Sequence, residues 1–513
     1  MNYRDLSEYN LAQVFSRRAQ SPYLVEASSG EIWSYQRVLA AAIRVAEDWR
    51  ARAAVEQDKI AFFLDNSIEY AVCYLAVIFG KFIAVPINIG LTSLEIDYIL
   101  GQTQPRIIVG TDDVLNAHAE FTQRSTGVPL CGIRAITDVE EDPEGGVEQA
   151  FPTLDFSLTV SIHYTSGTTG KPKGVVHGLG PLLQSALAFN AATQITSENR
   201  YLHHLPMSYM AGFLNTLLCP LIAGASVVVQ RIFDPTLALQ YWTLAERHGV
   251  NTLWLVPSMA TLLLKLDRRP RDASFYQGMI RLACIGTAPV PYRLWTEFKQ
   301  RYGLELQESY GLSETLFVST NSPSFPHKSG SVGKVLPGVT LQTIDEEGRT
   351  LGLGESGLIQ IRTPFQMKGY FRNSVAGDPQ EWFDSGDLGH LDEEGYLFIT
   401  GRKKDLIIRG GMNVSPRALE EAFLDHPLVD QVAVIGLPHD VKGEEIFVLL
   451  KPKVSPLPET WCDTLARYAR EKFASHCQPD RFVLVEKFPI GVSGKILKNQ
   501  LREELLQSHG TDR

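Results

Sequence analysis

Over its first 300 residues the chain alternates short β-branched runs with helical periods, and this alternation restricts the fold more than any other feature. Strand-like runs are expected at Lys59–Leu64, Phe82–Ile87, Arg106–Gly110, Thr159–Tyr164, Ala225–Gln230, Thr252–Val256 and Leu282–Gly286, with a helix at Ser67–Phe79. Neighbouring parallel strands need a crossover of about a dozen residues, which a helix supplies, so the pattern predicts an α/β fold of parallel sheets. From about residue 330 the pattern shifts to short alternating strands with tight turns, and Asp345–Gly348 and Asp392–Gly395 read as hairpin turns. The acidic run Asp138–Glu148 reads as a solvated loop. After Arg402 two further mixed units follow, with helical signals at Pro416–Leu424 and Trp461–Phe473. The charged string Gly401-Arg-Lys-Lys-Asp405 marks a boundary near 402–405 and reads as a short hinge.

At ~150 residues per folding unit, 513 residues make two to four units. With 44% hydrophobic and 21% charged residues, disorder, collagen-like repeats and a small secreted scaffold are excluded. Basic residues number 48 against 58 acidic ones, and the net charge of −10 argues against a nucleic-acid partner. Cys73, Cys131, Cys219, Cys284, Cys462 and Cys477 have no metal-site spacing and read as reduced thiols of a cytoplasmic protein. The first eight residues have no apolar core and do not read as a secretory signal. Two stretches resemble membrane spans in composition. Residues 70–90 are broken by Gly80, Lys81 and Pro86, and the uncharged residues 205–230 contain Pro220 and Gly224 and end in a β-branched run. The first is therefore not read as a span, and the second is read as a buried helix, a turn and a buried strand.

The strongest local signal is Tyr164-Thr-Ser-Gly-Thr-Thr-Gly-Lys-Pro-Lys-Gly174, directly after an expected strand. Thr165, Ser166, Thr168 and Thr169 offer hydroxyl donors, Gly167, Gly170 and Gly174 let backbone N–H groups approach, and Lys171 and Lys173 add charge. Such a loop suits phosphate oxygens. It is not a Walker A loop, because Pro172 stands where a hydroxyl residue should follow the lysine.

This loop resembles the phosphate loop of the adenylate-forming superfamily: acyl-CoA synthetases, peptide-synthetase adenylation domains and beetle luciferases. Four further motifs follow in the family's order, so the resemblance spans roughly residues 10–505. In Glu308-Ser-Tyr-Gly-Leu-Ser-Glu-Thr315, the resemblance implies that Tyr310 packs on adenine and Ser313 contacts the α-phosphate. It also implies that Glu314, with Thr169, holds Mg²⁺, and that Glu308, Ser309 and Gly311 line the nucleotide. A hard cation between phosphates suits a carboxylate oxygen. Gly286-Thr-Ala-Pro289 is similar to the wall between nucleotide and acyl pocket, where Gly286, Thr287 and Ala288 stand; Thr287 replaces a family glycine and adds bulk. Asp387, in Trp382-Phe-Asp-Ser-Gly-Asp387, falls where a carboxylate accepts from the ribose hydroxyls. Arg402 matches a ribose- or phosphate-contacting arginine, Lys404 the family's hinge position, and Gly410 and Gly411 a passage for pantetheine. Lys495, in Pro489-Ile-Gly-Val-Ser-Gly-Lys-Ile-Leu-Lys498, aligns with the catalytic lysine, and Lys498 keeps the charge of a commoner arginine.

The acyl pocket is implied to include Met207, Tyr209, Met210, Phe213 and Thr287. Many acyl-CoA ligases carry histidine at the Tyr209 position. Met210 replaces the aspartate that pairs with the ammonium of α-amino acids, so an amino-acid substrate is disfavoured. In the C-terminal part, His476-Cys-Gln-Pro479 lacks the lysine that many relatives carry, which leaves CoA and a carrier protein's phosphopantetheine both open as acceptor.

The fold implied is a large N-terminal domain, residues 1–401, of parallel and mixed sheets flanked by helices plus a small β-barrel-like part. A hinge at 402–405 and a small mobile α+β domain at 406–513 follow. The activity implied is an ATP- and Mg²⁺-dependent ligase that activates a carboxylic acid as acyl-AMP and passes the acyl group to CoA. Loading of a carrier protein, and a non-catalytic nucleotide-binding relative, are the alternatives. Monomer and homodimer are both left open, as is the identity of the acid.

Overall fold

The computed structural model describes residues 9–117, 128–133, 151–165, 172–269, 271–372, 378–491 and 496–509. Ser166, Gly167, Thr168, Thr169, Gly170 and Lys171 of the phosphate loop, Lys495, and the run Asp138–Glu148 lie outside the described residues.

The described strands form four sheets. A seven-stranded sheet runs Gly369–Tyr370, Lys173–Gly178, Thr159–Thr165, Ile83–Pro86, Lys59–Phe63, Ile107–Gly110, Leu130–Gly132. Its interior pairs are parallel, whereas Thr159–Thr165 and Lys173–Gly178 pair antiparallel. Only residues 166–172 join those two strands, too few for a crossover, so they must form a hairpin. The phosphate-loop sequence falls between these two strands, and the short strand Gly369–Tyr370 lies outside them at the sheet's edge. A nine-stranded sheet has the same character: five parallel pairs run from Pro22–Glu26 to Leu306–Leu312, with antiparallel pairs at both edges.

The two apolar stretches are core. The helix Ile68–Gly80 starts at Ser67, whose hydroxyl accepts from Tyr70 N, and is buried along nearly its whole length. Residues 205–230 hold Ala211–Leu218, Cys219–Ala223, a turn at Gly224 (φ +71°) and the buried strand Ser226–Val229. Among the described residues no helix is long and apolar enough to cross a membrane. The helix Ala211–Leu218 is π-helical, which the periodicity did not indicate. Thr216 Oγ1 donates to Gly212 O at 2.9 Å and meets His203 Nδ1 at 2.7 Å. A side chain that takes the carbonyl four residues back competes with the α-helical bond there.

The third sheet, Thr340–Ile344, Gly357–Arg362, Phe383–Leu391, Leu397–Arg402, is antiparallel throughout. Both expected turns form, with Gly348 and Gly395 at φ +81° and +80°. A 3₁₀ turn, Lys403–Asp405, with no buried residue separates this sheet from the last one. The last sheet joins Met412–Val414, Ile407–Arg409, Gly443–Pro452, Val429–His439 and Arg481–Leu484, with the helices Pro416–Leu424, Trp461–Lys472 and Lys498–His509. Its buried clusters, around Phe423 and around Phe447, draw on no described residue before Ile407. Polar contacts tie it to the rest: Lys265 to Asp430 at 2.7 Å, Arg293 to Leu424 O at 2.9 Å, and Ser415 to Thr400 O at 2.8 Å. All six cysteines are unpaired.

Candidate active site

The hairpin that carries the phosphate loop brings its base to the loop after strand Leu306–Leu312. Thr165 pairs with Lys173 across the hairpin. The short strand Gly369–Tyr370 binds the outer edge of Lys173–Gly178, and it sets the half-buried ring of Tyr370 5.3 Å from Lys173 Nζ. Tyr370 donates from its hydroxyl to Glu314 Oε1 at 2.8 Å, and Met367 N donates to Glu314 O at 2.7 Å. Lys173, Tyr370 and Glu314 thus form a row across three segments. Tyr370 had no role in the sequence reading; its partner is 56 positions away.

Beside this row, the antiparallel sheet places Asp387 opposite Arg402. Arg402 Nε donates to Asp387 Oδ1 at 2.8 Å, and Tyr310 donates from its hydroxyl to Oδ2, also at 2.8 Å. Asp387 is 3% exposed. A carboxylate has about four acceptor sites, so roughly two remain for further donors. Burial, reinforced by the Asp387 charge, holds the Tyr310 phenol well above its ordinary range, so it stays a donor. The hydroxyl bond fixes the ring of Tyr310. Gly311, the next residue, is required by packing: a Cβ there would lie 2.2 Å from Leu316 O.

Glu308 and Ser309 are occupied by the protein. Glu308, 8% exposed, accepts from Val290 N at 3.2 Å, and Ser309 shares a hydrogen bond with Thr320 at 3.1 Å. Ser313 is half-buried in the same turn as Glu314. Burial pushes the Glu308 carboxyl up to about 7, with Arg417 pulling it back. In the folded chain the group therefore keeps its proton at a pH where the unfolded chain has lost it. The stability this contributes is complete below pH ~4.5 and lost as pH rises through about 7. Glu308→Gln, which retains an acceptor for Val290 N, is expected to leave stability unchanged near pH 4. Above pH 7 it should raise it, by on the order of 2–3 kcal/mol. Urea unfolding at both pH values checks this; equal stability at pH 8 would remove the account.

Gly286 lies close to Ser309 O, and Thr287 follows at φ +69°. A β-branched residue in the left-handed region is strained, and among the described residues the buried Thr287 hydroxyl has no partner. Ala288 is half-buried beside it. Of the expected acyl-pocket residues, Met207 and Phe213 are buried: Phe213 stacks on Tyr74 at 4.0 Å, and Tyr74 donates to the backbone O of Met207 at 2.7 Å. Met210 is 7% exposed and Tyr209 half-buried. His163, stacked against Phe213 at 6.0 Å, was not anticipated; burial and neighbouring His177 keep it neutral. Gly410 and Gly411 form the exposed tip of the hairpin Ile407–Arg409 to Met412–Val414, at φ +58° and +79°, and Lys404 is exposed.

A family model described as AMP-binding enzyme matches residues 11–371, and its AMP-binding enzyme C-terminal domain matches residues 418–495. The chain belongs to the AMP-binding enzyme family. The medium-chain fatty-acid–CoA ligase of Escherichia coli (strain K12) is 28% identical, over 98% of this chain and 91% of that one. The 2-succinylbenzoate–CoA ligase of Bacillus subtilis (strain 168) is 30% identical, over 92% of this chain and 93% of the relative. The o-succinylbenzoate coenzyme A synthetase of Bacillus subtilis, solved with ATP and a magnesium ion, superposes with a TM-score of 0.81 at 27% identity, covering 96% of this chain and 98% of that one. A second structure of that enzyme holds its acyl-adenylate intermediate.

For an AMP-binding enzyme the metal question reduces to Glu314. Among the described residues no three His, Cys, Asp or Glu side chains could cage an ion. Mg²⁺ does not need such a cage, because one or two carboxylates with phosphates and waters suffice. Glu314 takes one hydrogen bond on Oε1, which leaves acceptor capacity for a hard cation. The residues present fit Mg²⁺.

Proposed function

We propose that this chain is an ATP-dependent, AMP-forming acyl-CoA ligase. The carrying observation is two contact sets built from separate segments, Lys173 with Tyr370 and Glu314, and Tyr310 with Asp387 and Arg402, which the chain joins within four residues between Tyr310 and Glu314. In the first half-reaction a carboxylate oxygen attacks the α-phosphorus of ATP. The bond from that phosphorus to the bridging oxygen breaks, giving acyl-AMP and pyrophosphate. The phosphate loop with Lys173, and Ser313, contact the phosphates; Tyr310 faces adenine; Asp387 and Arg402 hold the ribose. Mg²⁺ bound at Glu314, with Thr169, would offset phosphate charge. Lys495 stabilises the charge that builds on the phosphoryl oxygens. In the second half-reaction a thiol attacks the acyl carbon and AMP leaves, after residues 406–513 turn against residues 1–401 about the 402–405 hinge, bringing Gly410 and Gly411 to the pantetheine.

Met207, Tyr209, Met210 and Phe213 would line an apolar acyl pocket, and strained Thr287 would narrow it where the family has glycine. Unpaired cysteines agree with a cytoplasmic setting. Pyrophosphate release across a panel of acids, with and without CoA, tests the reading. Acyl-CoA and AMP as products support it. Acid-dependent release that ignores CoA points instead to a carrier-protein acceptor, and no acid-dependent release leaves only nucleotide binding.

Tyr370→Phe removes the hydroxyl that orients Glu314. A hydrogen bond to a charged group contributes about 1.5–3 kcal/mol, so the Mg²⁺ concentration for half-maximal adenylation should rise roughly tenfold or more. An unchanged Mg²⁺ titration would show that Glu314 is oriented by other means.

A further inference from the structure

Gly491 and Gly494 lie just before Lys495, and glycine leaves a chain many conformations. A lysine on such a segment reaches a defined point only if the chain is held at both ends. The described residues on either side are held in two ways. Ile490 and Ile496 form an antiparallel bridge, and Leu497 N donates to Pro489 O at 2.9 Å. Phe488 and Leu501 enter one core with Ala433, Ile435 and Phe447. Apolar contact of this kind has no preferred direction. The directional restraint is Lys498, the first residue of the helix Lys498–His509. Its Nζ lies 2.6 Å from Glu420 Oε1, and the same oxygen accepts from Val434 N at 2.7 Å. The pair is largely enclosed, with side-chain exposures of 25% and 18%. Burial pushes the Glu420 carboxyl up, Lys498 pulls it back, and the charge of Asp405, in the turn before this domain, is also felt there. Glu420 therefore meets the base of the lysine segment and strand Val429–His439.

We propose that the Glu420–Lys498 ion pair is a positioning device for Lys495, orienting the base of its segment so that the ammonium reaches the reacting phosphate. This rests on the reading of Lys495 as the adenylation lysine. Lys498 then does not contact nucleotide; its charge is used against Glu420.

The test separates the half-reactions, using the acid that releases pyrophosphate fastest in the panel and that acid's preformed AMP ester. Glu420→Gln keeps an acceptor for Val434 N but removes the charge. It should lower kcat for adenylation roughly tenfold or more, the scale of a small misplacement. KM for ATP and acid should stay within about twofold, and CoA capture of the supplied AMP ester should be unaffected. Lys498→Met should match it, the double variant should be no worse than either, and Lys498→Arg should restore the parent rate. Equal loss in both half-reactions, or multiplicative loss in the double variant, would overturn the proposal. So would full adenylation activity in Glu420→Gln. If Glu420→Gln fails to fold, Lys498→Met decides. Hydrogen exchange at the Leu497 amide, bonded to Pro489, should speed up in both variants with no such change in the strand Thr252–Leu255. That readout needs no substrate, so it also judges the pair if the parent chain releases no pyrophosphate, a result that would instead count against the function reading.

Discussion

Lys495→Ala is expected to slow acyl-adenylate formation by roughly 10²–10³, the range for removing one preorganised group that stabilises developing charge. The reason is electrostatic. A carboxylate and a triphosphate repel each other, and attack at phosphorus concentrates negative charge on the phosphoryl oxygens. An ammonium reaching both relieves most where the charge is greatest, so the loss should fall on kcat rather than on ATP affinity. On the proposed reading Lys173 and Glu314 would still hold ATP, and nucleotide binding measured by calorimetry should change little. The thiol step builds charge on the acyl oxygen instead, so CoA should capture supplied acyl-AMP at nearly the parent rate. Equal damage to both half-reactions would remove Lys495 from this role.

Much of the architecture was readable because many strands in the parallel sheets are buried on both faces. Ser226–Val229, Thr252–Leu255 and Leu282–Ile285 are buried at every position, and such strands must be apolar or β-branched along their length. The helix Pro416–Leu424 was placed to the residue, since proline suits a first turn and little else in a helix. The site was legible as motifs but not as contacts. Tyr310 and Asp387 are 77 positions apart, and nothing local announces that a phenol expected against adenine also donates to the expected ribose carboxylate. Met207 and Phe213 were assigned to the acyl pocket from their apolar side chains, which serve a cavity or a core equally well, and both are buried beside Tyr74. The π-helical geometry of Ala211–Leu218 escaped for a related reason, since it involves a threonine hydroxyl held between Gly212 O and His203, a contact from another strand.

Lys404→Pro should spare adenylation and block thioester formation. The turn Lys403–Asp405 buries nothing, and it stands between a sheet that ends at Arg402 and one that begins at Ile407. Rotation of one part against the other has to be absorbed by the dihedral angles of these few residues. The present turn is 3₁₀, with φ near the −65° that proline enforces, so the ring suits residue 404 as it stands while opposing any arrangement that requires another angle. Proline also restricts Lys403 before it. An incompatible proline costs about 3 kcal/mol, and each 1.4 kcal/mol is tenfold, so the rotated arrangement should become roughly 10²-fold rarer. Acid-dependent pyrophosphate release in a single turnover should then stay near the parent rate while acyl-CoA formation falls by about that factor and acyl-AMP accumulates on the enzyme. The same comparison separates this residue from Glu420, whose loss should slow the first half-reaction and leave the second intact. If Lys404→Pro slows both half-reactions alike, the turn is a structural joint and the rotation must take place elsewhere in the chain.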